Sequence, residues 1–136
     1  ASTRHNLAES HRRLGRCADA LPLYRRSRRV LEAAAGDHSS RIADTLTGEG
    51  RCVAALGDVD AADRLLGRAL DLRASADPSS TRLAETRFAL ARVLGVESPR
   101  ARELAGLAAG AYRGATERYR PQLADVEAWL ASAGGG

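Results

Sequence analysis

The chain has 136 residues and a formal net charge of +4, and arginine supplies all of its basic residues apart from three histidines. The length suffices for one domain with a buried core, and so modest a charge does not by itself indicate nucleic-acid binding. Aromatic residues make up only 4% of the chain, and alanine and leucine dominate its apolar residues, a balance typical of stacked helices. No apolar run approaches the roughly 20 residues of a membrane span. We also find no secretory h-region, and we therefore expect a soluble, cytoplasmic protein.

Similar segments recur along the chain at a spacing of 41 or 42 residues. Residues 40–45 (Ser-Arg-Ile-Ala-Asp-Thr) match residues 81–86 (Thr-Arg-Leu-Ala-Glu-Thr), and Gly15 recurs as Gly57. A fixed spacing of this size is the signature of a helical repeat array. The sequence therefore predicts one domain over 1–133, with repeats at about 1–39, 40–79 and 80–117.

Each repeat divides into two helices with apolar residues at helical spacing. We predict no strand, and we predict seven helices at 3–14, 17–34, 40–56, 59–74, 80–94, 99–113 and 121–132. The last of these is a capping helix that covers the final apolar face. The residues predicted to face inward are Leu7, His11, Leu14, Ala20, Tyr24, Ser27, Leu31, Leu46, Gly50, Val53, Ala62, Leu66, Ala69, Phe88, Ala91, Leu94, Ala101, Leu104, Ala105, Ala108, Leu123, Val126 and Leu130.

Helix boundaries and close contacts have their own signals. Gly36 is expected to end one helix in the left-handed conformation, and Ser39 or Ser40 to cap the next. Ser98-Pro99 reads as an N-cap followed by a proline at the first helical position. We expect small residues wherever two helices of a repeat meet closely, since a larger side chain would push the axes apart. These residues are Ala8, Ala20, Gly50, Ala62, Ala91 and Ala101.

Residues with catalytic or metal-binding chemistry form no recognisable site. Cys17 and Cys52 fit no CxxC or Cys/His spacing, so we expect reduced, buried thiols. The run Asp37-His38-Ser39 lies in a linker, where neighbours cannot adopt the geometry of a catalytic triad. No phosphate-binding glycine loop or HExxH motif occurs. The sequence therefore predicts a protein that is not an enzyme, with no catalytic residue, cofactor or metal.

The repeat pattern resembles the tetratricopeptide repeat family. The resemblance is carried by residues 17–24 (Cys-Ala-Asp-Ala-Leu-Pro-Leu-Tyr) and 57–62 (Gly-Asp-Val-Asp-Ala-Ala), and the spacing of about 42 resembles the kinesin-light-chain-like variety. Residues 88–94 also resemble terminal repeats of bacterial multidomain signalling proteins, including serine/threonine kinases. The resemblance implies an all-α solenoid of three helix pairs plus the cap. Glu49 and Ser27 depart from the family pattern, which prefers leucine and alanine there.

In this family the first helix of each repeat lines a concave groove that receives a peptide. The resemblance implies a groove formed by His5, Glu9, Arg12, Arg13, Asp44, Thr47, Arg51, Glu85, Phe88 and Arg92. Glu9 occupies an asparagine position of the known carboxylate clamp, which argues against recognition of chaperone tails. Arg51 and Arg92 stand one repeat apart and suit bidentate contacts with carboxylates. For Phe88, ordinary core packing is the favoured interpretation.

Two functions are compatible with these features. The first is a protein-interaction module that binds a peptide or protein partner in the groove, with an acidic partner as one option. The alternative is an intramolecular spacer or regulatory arm of a larger bacterial signalling protein, such as a kinase or transcription regulator. The arginine cluster at 25–29 on the outer face suits solvation, a neighbouring domain or an acidic partner better than nucleic acid, because aromatic stacking groups are missing. We expect upstream repeats or domains before Ala1, and a frayed tail at 134–136.

Overall fold

A computed structural model describes residues 2–77 and 80–134 of the chain. In this described part the fold is entirely helical and contains no strand, as the sequence predicts, and each predicted helix boundary lies within two residues of the observed one. A short 3-10 turn, Glu117–Tyr119, precedes the last helix. The helices are α1 (Ser2–Arg13), α2 (Cys17–Ala33), α3 (Ser39–Ala55), α4 (Val59–Ala76), α5 (Thr81–Leu94), α6 (Pro99–Arg113) and α7 (Arg120–Gly134). The predicted repeat end at residue 79 and the first residue, Ala1, lie outside the described residues.

The helices form two layers. Each helix packs against its neighbours in the chain, and α1 also contacts α3, which in turn contacts α5. The first helices of the three repeats therefore lie side by side in an inner layer, with α2, α4 and α6 behind them. This is the all-α solenoid expected from the repeat pattern.

Small residues stand where the helices approach most closely, as predicted. The alanines at these positions are completely buried, and so are the predicted inward residues Leu46 and Leu66. A Cβ atom on Gly50 would lie only 2.7 Å from Cγ of Leu66 on α4. Glycine at this position therefore permits α3 and α4 to pack closely.

The turn signals are confirmed with two corrections. Gly36 has a φ of +96°, which favours glycine, although the helix itself ends earlier, with Ala34 at the C-cap in an extended conformation. The Ser98 side chain accepts a hydrogen bond from the Ala101 amide at 3.2 Å, so it caps α6. The prediction of a serine cap for α3 is wrong. His38 holds the cap position, and the Asp37 carboxylate accepts from the Ser39 amide at 2.9 Å instead.

The predicted inward stripe of α1 is wrong at two positions. Leu7 and Leu14 are 49% and 68% exposed, whereas Ala8 is completely buried. With the repeat spacing set by Gly15 and Gly57, Leu7 corresponds to Glu49, which α2 covers. No described helix covers that side of α1, so Leu7 and Leu14, the residue that follows the helix, remain in solvent.

The two cysteines form a disulfide, and the prediction of reduced thiols is wrong. Cys17 begins α2 and Cys52 lies in α3, with their Cα atoms 5.0 Å apart. The two residues are 35 positions apart in sequence, so short-motif reasoning had no means of bringing them together. Packing of α2 on α3 supplies the proximity, and it leaves both residues buried.

The last helix covers the C-terminal end of the core, as the sequence predicts. Val126 is completely buried, and Leu123 and Leu130 pack half-buried against the alanine-rich face of α6. Trp129 adds an edge contact with the ring of Phe88, at 5.9 Å between centroids. Gly134 is the final residue of α7, so the predicted tail begins one residue too early. Gly135 and Gly136 lie outside the described residues.

Gly48 provides a test of how closely α2 and α3 pack. Alanine normally stabilises a helix interior by about 1 kcal/mol relative to glycine. A Cβ on Gly48, however, would lie 2.7 Å from Oη of the buried Tyr24, and closer still to the ring carbon Cζ. We therefore expect Gly48→Ala to lower the free energy of unfolding by roughly 1–3 kcal/mol through overpacking, as measured by urea denaturation.

Gly67→Ala on α4 is the matched control. A Cβ there would meet nothing within 4 Å, so the same change is expected to raise stability by about 1 kcal/mol. Equal effects of the two substitutions would contradict the close contact between Gly48 and Tyr24.

Candidate functional site: the concave face

The inner layer carries three adjoining cavities that share Arg51. Nine of the ten residues predicted for the groove line at least one of them, and Arg13, which is exposed, is the exception. We call them the N-terminal, middle and C-terminal cavities, with volumes of about 200, 500 and 500 Å³. His5, Glu9, Asp44 and Thr47 line the N-terminal cavity. Phe88 and Arg92 line both of the larger ones.

The middle cavity combines three cations with an apolar surface. Arg12, Arg51 and Arg92 come from α1, α3 and α5, so each inner helix contributes one guanidinium. The remaining lining is Ala54, Ala55, Val59, Phe88, Ala89 and Val93. Such a surface can hold anionic groups by hydrogen bonds while it buries apolar side chains between them.

Arg51 is a largely buried cation that lines all three cavities. Its side chain is 29% exposed, and its Nη2 lies 3.5 Å from Oε1 of Glu85. Burial lowers the Arg51 pKa, the charge of Glu85 opposes that effect, and the nearby charges of Arg12 and Arg92 lower it further. An arginine still remains protonated in such surroundings. Arg51 is therefore a permanent cation with one loose, half-exposed carboxylate partner.

The ring of Phe88 supports the guanidinium of Arg92. The Arg92 Cζ atom lies 4.5 Å from the ring centroid, and the edge contact with Trp129 holds the same ring. Phe88 thus takes part in the core and lines the groove at the same time. Stacking on a ring face leaves the N–H groups at the edge of the guanidinium available to a ligand.

At the other end of the groove, Glu9 and Arg12 are paired with each other. Glu9 accepts hydrogen bonds from Arg12, at 2.9 Å, and from the hydroxyl of Tyr24. Burial alone would raise the Glu9 pKa, but these two hydrogen bonds and the positive charge of Arg12 together outweigh it, and the net shift is downward. Burial raises the Tyr24 pKa, and the bond to Glu9 adds to the rise. His5 packs edge-on against Tyr24, with centroids 5.8 Å apart. The charges of Glu9 and Arg12 therefore largely cancel.

Arg73, which the sequence analysis missed, reaches the groove from the outer layer. Its side chain is 8% exposed and forms an ion pair with Asp44, and its Nε donates to Thr86 Oγ1 at 3.0 Å. Thr86 also lies 3.2 Å from the hydroxyl of Thr47. Two predicted groove residues, Asp44 and Thr47, thus belong to a buried polar network. One signal in the sequence could have identified Arg73: it stands at the repeat position that the buried Leu31 holds in the first repeat.

Glu49, which stands where the family pattern prefers leucine, forms a buried ion pair with an arginine of the outer face. Its side chain is 3% exposed, and Arg28 forms a fork to its two oxygens at 2.9 and 3.2 Å. Arg25 adds a contact of 3.4 Å. The hydrogen bond to Glu49 raises the Arg28 pKa. Arg28 is consequently a structural ion-pair partner and not a free outer-face charge, whereas Arg26 and Arg29 are exposed.

The side chains of the linker Asp37-His38-Ser39 form local hydrogen bonds around the start of α3. Asp37 accepts from the Ser39 amide and hydroxyl, and a ring nitrogen of His38 lies 2.8 Å from the Ala35 carbonyl oxygen. Among residues 2–77 and 80–134, no three histidine, cysteine or acidic side chains gather in a way that could hold a metal ion. No helix in the same ranges is long and apolar enough to cross a membrane.

Comparison with known proteins agrees with the repeat pattern. A family model described as the tetratricopeptide repeat matches residues 1–75, which is more than half of the chain. The observed spacing of about 42 residues is consistent with the longer variety of that repeat. The chain has no match among curated proteins.

Proposed function

Because this chain belongs to the tetratricopeptide repeat family, we propose that its concave face binds an extended segment of a protein partner. Repeats of this family generally mediate protein–protein contacts and are typically non-catalytic modules. The observation that supports the groove as the binding surface is the middle cavity, which joins a cation from each inner helix to an apolar floor.

The charges of the groove support an acidic partner, whose anchor we propose at Arg51 and Arg92 and not on α1. Arg12 is occupied by Glu9 at the N-terminal end. Arg51 has only a half-exposed carboxylate at 3.5 Å, and Arg92 rests on Phe88. A partner carboxylate can displace the loose contact of Arg51 and accept a fork of hydrogen bonds from either guanidinium. The partner's apolar side chains would cover Val59 and Val93.

The test compares substitutions on the two faces. We expect the double substitution Arg51→Ala/Arg92→Ala to weaken partner binding about ten-fold or more, since each change removes a charge-assisted contact from a partly desolvated surface. The measurement is affinity capture from a lysate of the source organism, followed by titration of the captured partner against both forms of the protein.

The matched control is Arg26→Ala/Arg29→Ala on α2, where exposed charges act weakly and are screened by salt. Arg28 is unsuitable as a control because it supports the buried Glu49. Loss of partners in the α2 variant alone would overturn the groove proposal. It would favour a spacer that docks through its outer face onto another domain.

The cellular setting stays a prediction from the sequence. A cytoplasmic location and a bacterial source are proposed from composition and from the family resemblance. The disulfide between Cys17 and Cys52 weighs against a reducing cytoplasm, because stable disulfides are rare in that compartment.

A further inference from the structure

The C-terminal cavity holds two guanidinium groups that form no ion pair with a carboxylate of the described residues. Arg92 lies over Phe88, and Arg118 lies over Tyr119 with its Cζ atom 5.8 Å from the ring centroid. Arg92 comes from α5 and Arg118 from the 3-10 turn before α7, so two separate elements present cations to one space of about 500 Å³.

The overall charge of this cavity is positive. Its lining contains four arginines and two carboxylates, Glu85 and Asp125, which leaves a net charge of +2. The other two arginines already have partners, since Arg51 faces Glu85 and Arg82 faces Asp44 at 3.3 Å. Arg92 and Arg118 are therefore the two lining arginines without an ion pair, and the remaining carboxylate, Asp125, offsets one of their two charges.

A tyrosine hydroxyl adds to these donors. Tyr112 is buried, stacks on Tyr119 with ring centroids 5.8 Å apart, and lines the same cavity. Burial, helped by the charge of Glu85, raises the Tyr112 pKa to about 12. The hydroxyl consequently keeps its proton near neutral pH and can donate to an anion.

We propose that this cavity binds a phosphorylated side chain of the partner segment, with Arg92 and Arg118 holding the phosphoryl oxygens. A phosphomonoester carries nearly two negative charges and three strong acceptor oxygens at neutral pH, which suits a lining of positive net charge with cationic donors from two separate elements. A carboxylate offers one charge and two oxygens, so it would accept fewer hydrogen bonds from the two guanidinium groups. The inference rests on the proposed function and adds a specificity to one end of the groove.

The single tryptophan provides a readout without a label. Trp129 touches the ring of Phe88, whose face carries Arg92, so an anion on Arg92 is expected to change the tryptophan emission. The probes are blocked alanine pentapeptides whose central residue is phosphoserine, glutamate or serine, together with inorganic phosphate. We expect the phosphoserine peptide to bind about ten-fold more tightly than the glutamate peptide, by analogy with other charge-assisted contacts.

Matched substitutions separate this site from general attraction to a basic protein. Arg92→Gln and Arg118→Gln are each expected to weaken phosphoserine-peptide binding about ten-fold. Arg113→Gln is expected to leave it unchanged, because Arg113 pairs with Glu127 and does not line the cavity. Thermal melts of all three variants verify that the fold is retained.

The possible results distinguish this inference from the groove proposal. Equal affinity for the phosphoserine and glutamate peptides, with both lost in Arg92→Gln, would overturn phosphate recognition and leave groove binding intact. Inorganic phosphate binding as tightly as the peptide would show recognition of the ion alone and contradict a phosphorylated partner. No response to any probe would also overturn the inference, while capture of partners through Arg51 would still test the groove independently.

Discussion

Replacing Arg28 with alanine is expected to lower the free energy of unfolding by roughly 3–5 kcal/mol, because it leaves a buried carboxylate without its partner. Glu49 is 3% exposed, and both of its oxygens accept from the Arg28 guanidinium. The remaining contact, from the half-exposed Arg25 at 3.4 Å, is too long to compensate. Urea denaturation of the purified protein measures the difference.

Two further variants isolate the ion pair. Arg29→Ala, an exposed change on the same helix, is expected to alter stability by less than about 0.5 kcal/mol. Arg28→Leu/Glu49→Leu removes both charges and restores the leucine that the family prefers. We expect it to recover most of the lost stability, because well-packed apolar residues can replace a buried pair at little cost. If Arg28→Ala unfolds at the same urea concentration as Arg29→Ala, the buried pair does not form in solution.

Arg73→Met is expected to cost about 3 kcal/mol, since methionine keeps most of the side-chain volume but satisfies neither Asp44 nor the buried Thr86 hydroxyl. The arginine is 8% exposed and ties α4 to both α3 and α5. Arg64→Met, an exposed change on the same helix, serves as the control. A double-mutant cycle with Asp44→Ala measures the coupling between Arg73 and Asp44 directly, and a coupling near zero would refute the network.

The helices were predictable from the sequence because their signals are local. Glycine turns, the Ser98 cap and apolar residues at helical spacing are each visible within a few residues. The tight contacts at Gly50 and Ala62 were also predictable, since the repeat spacing identifies equivalent positions and small residues recur at them.

The wrong predictions for the α1 leucines, the cysteines and the outer arginines depend on which helices pack against each other. Leu7 has the same pattern as a buried residue and is exposed only because no described helix lies over it. Cys17 meets Cys52, and Arg28 meets Glu49, across the contact between α2 and α3. No local rule specifies these encounters.

The residues that line the groove were predictable in outline, but the hydrogen bonds and ion pairs that already occupy their charges were not. The family register selected the residues that line the cavities. The hydrogen bonds that occupy Glu9 and Asp44 come from Tyr24 and Arg73, which lie in the outer layer. Arg118 was missed as well, since it belongs to a 3-10 turn outside the repeat pattern.

The bond between Cys17 and Cys52 changes the covalent topology of the chain. It closes a ring that contains the exposed linker of residues 34–37 between α2 and α3. Hydrolysis of one peptide bond in that linker would therefore open the ring without releasing a fragment. The helices on either side of the cut would stay joined through the disulfide. The groove, which α1 and α3 line together, would therefore keep both of these helices.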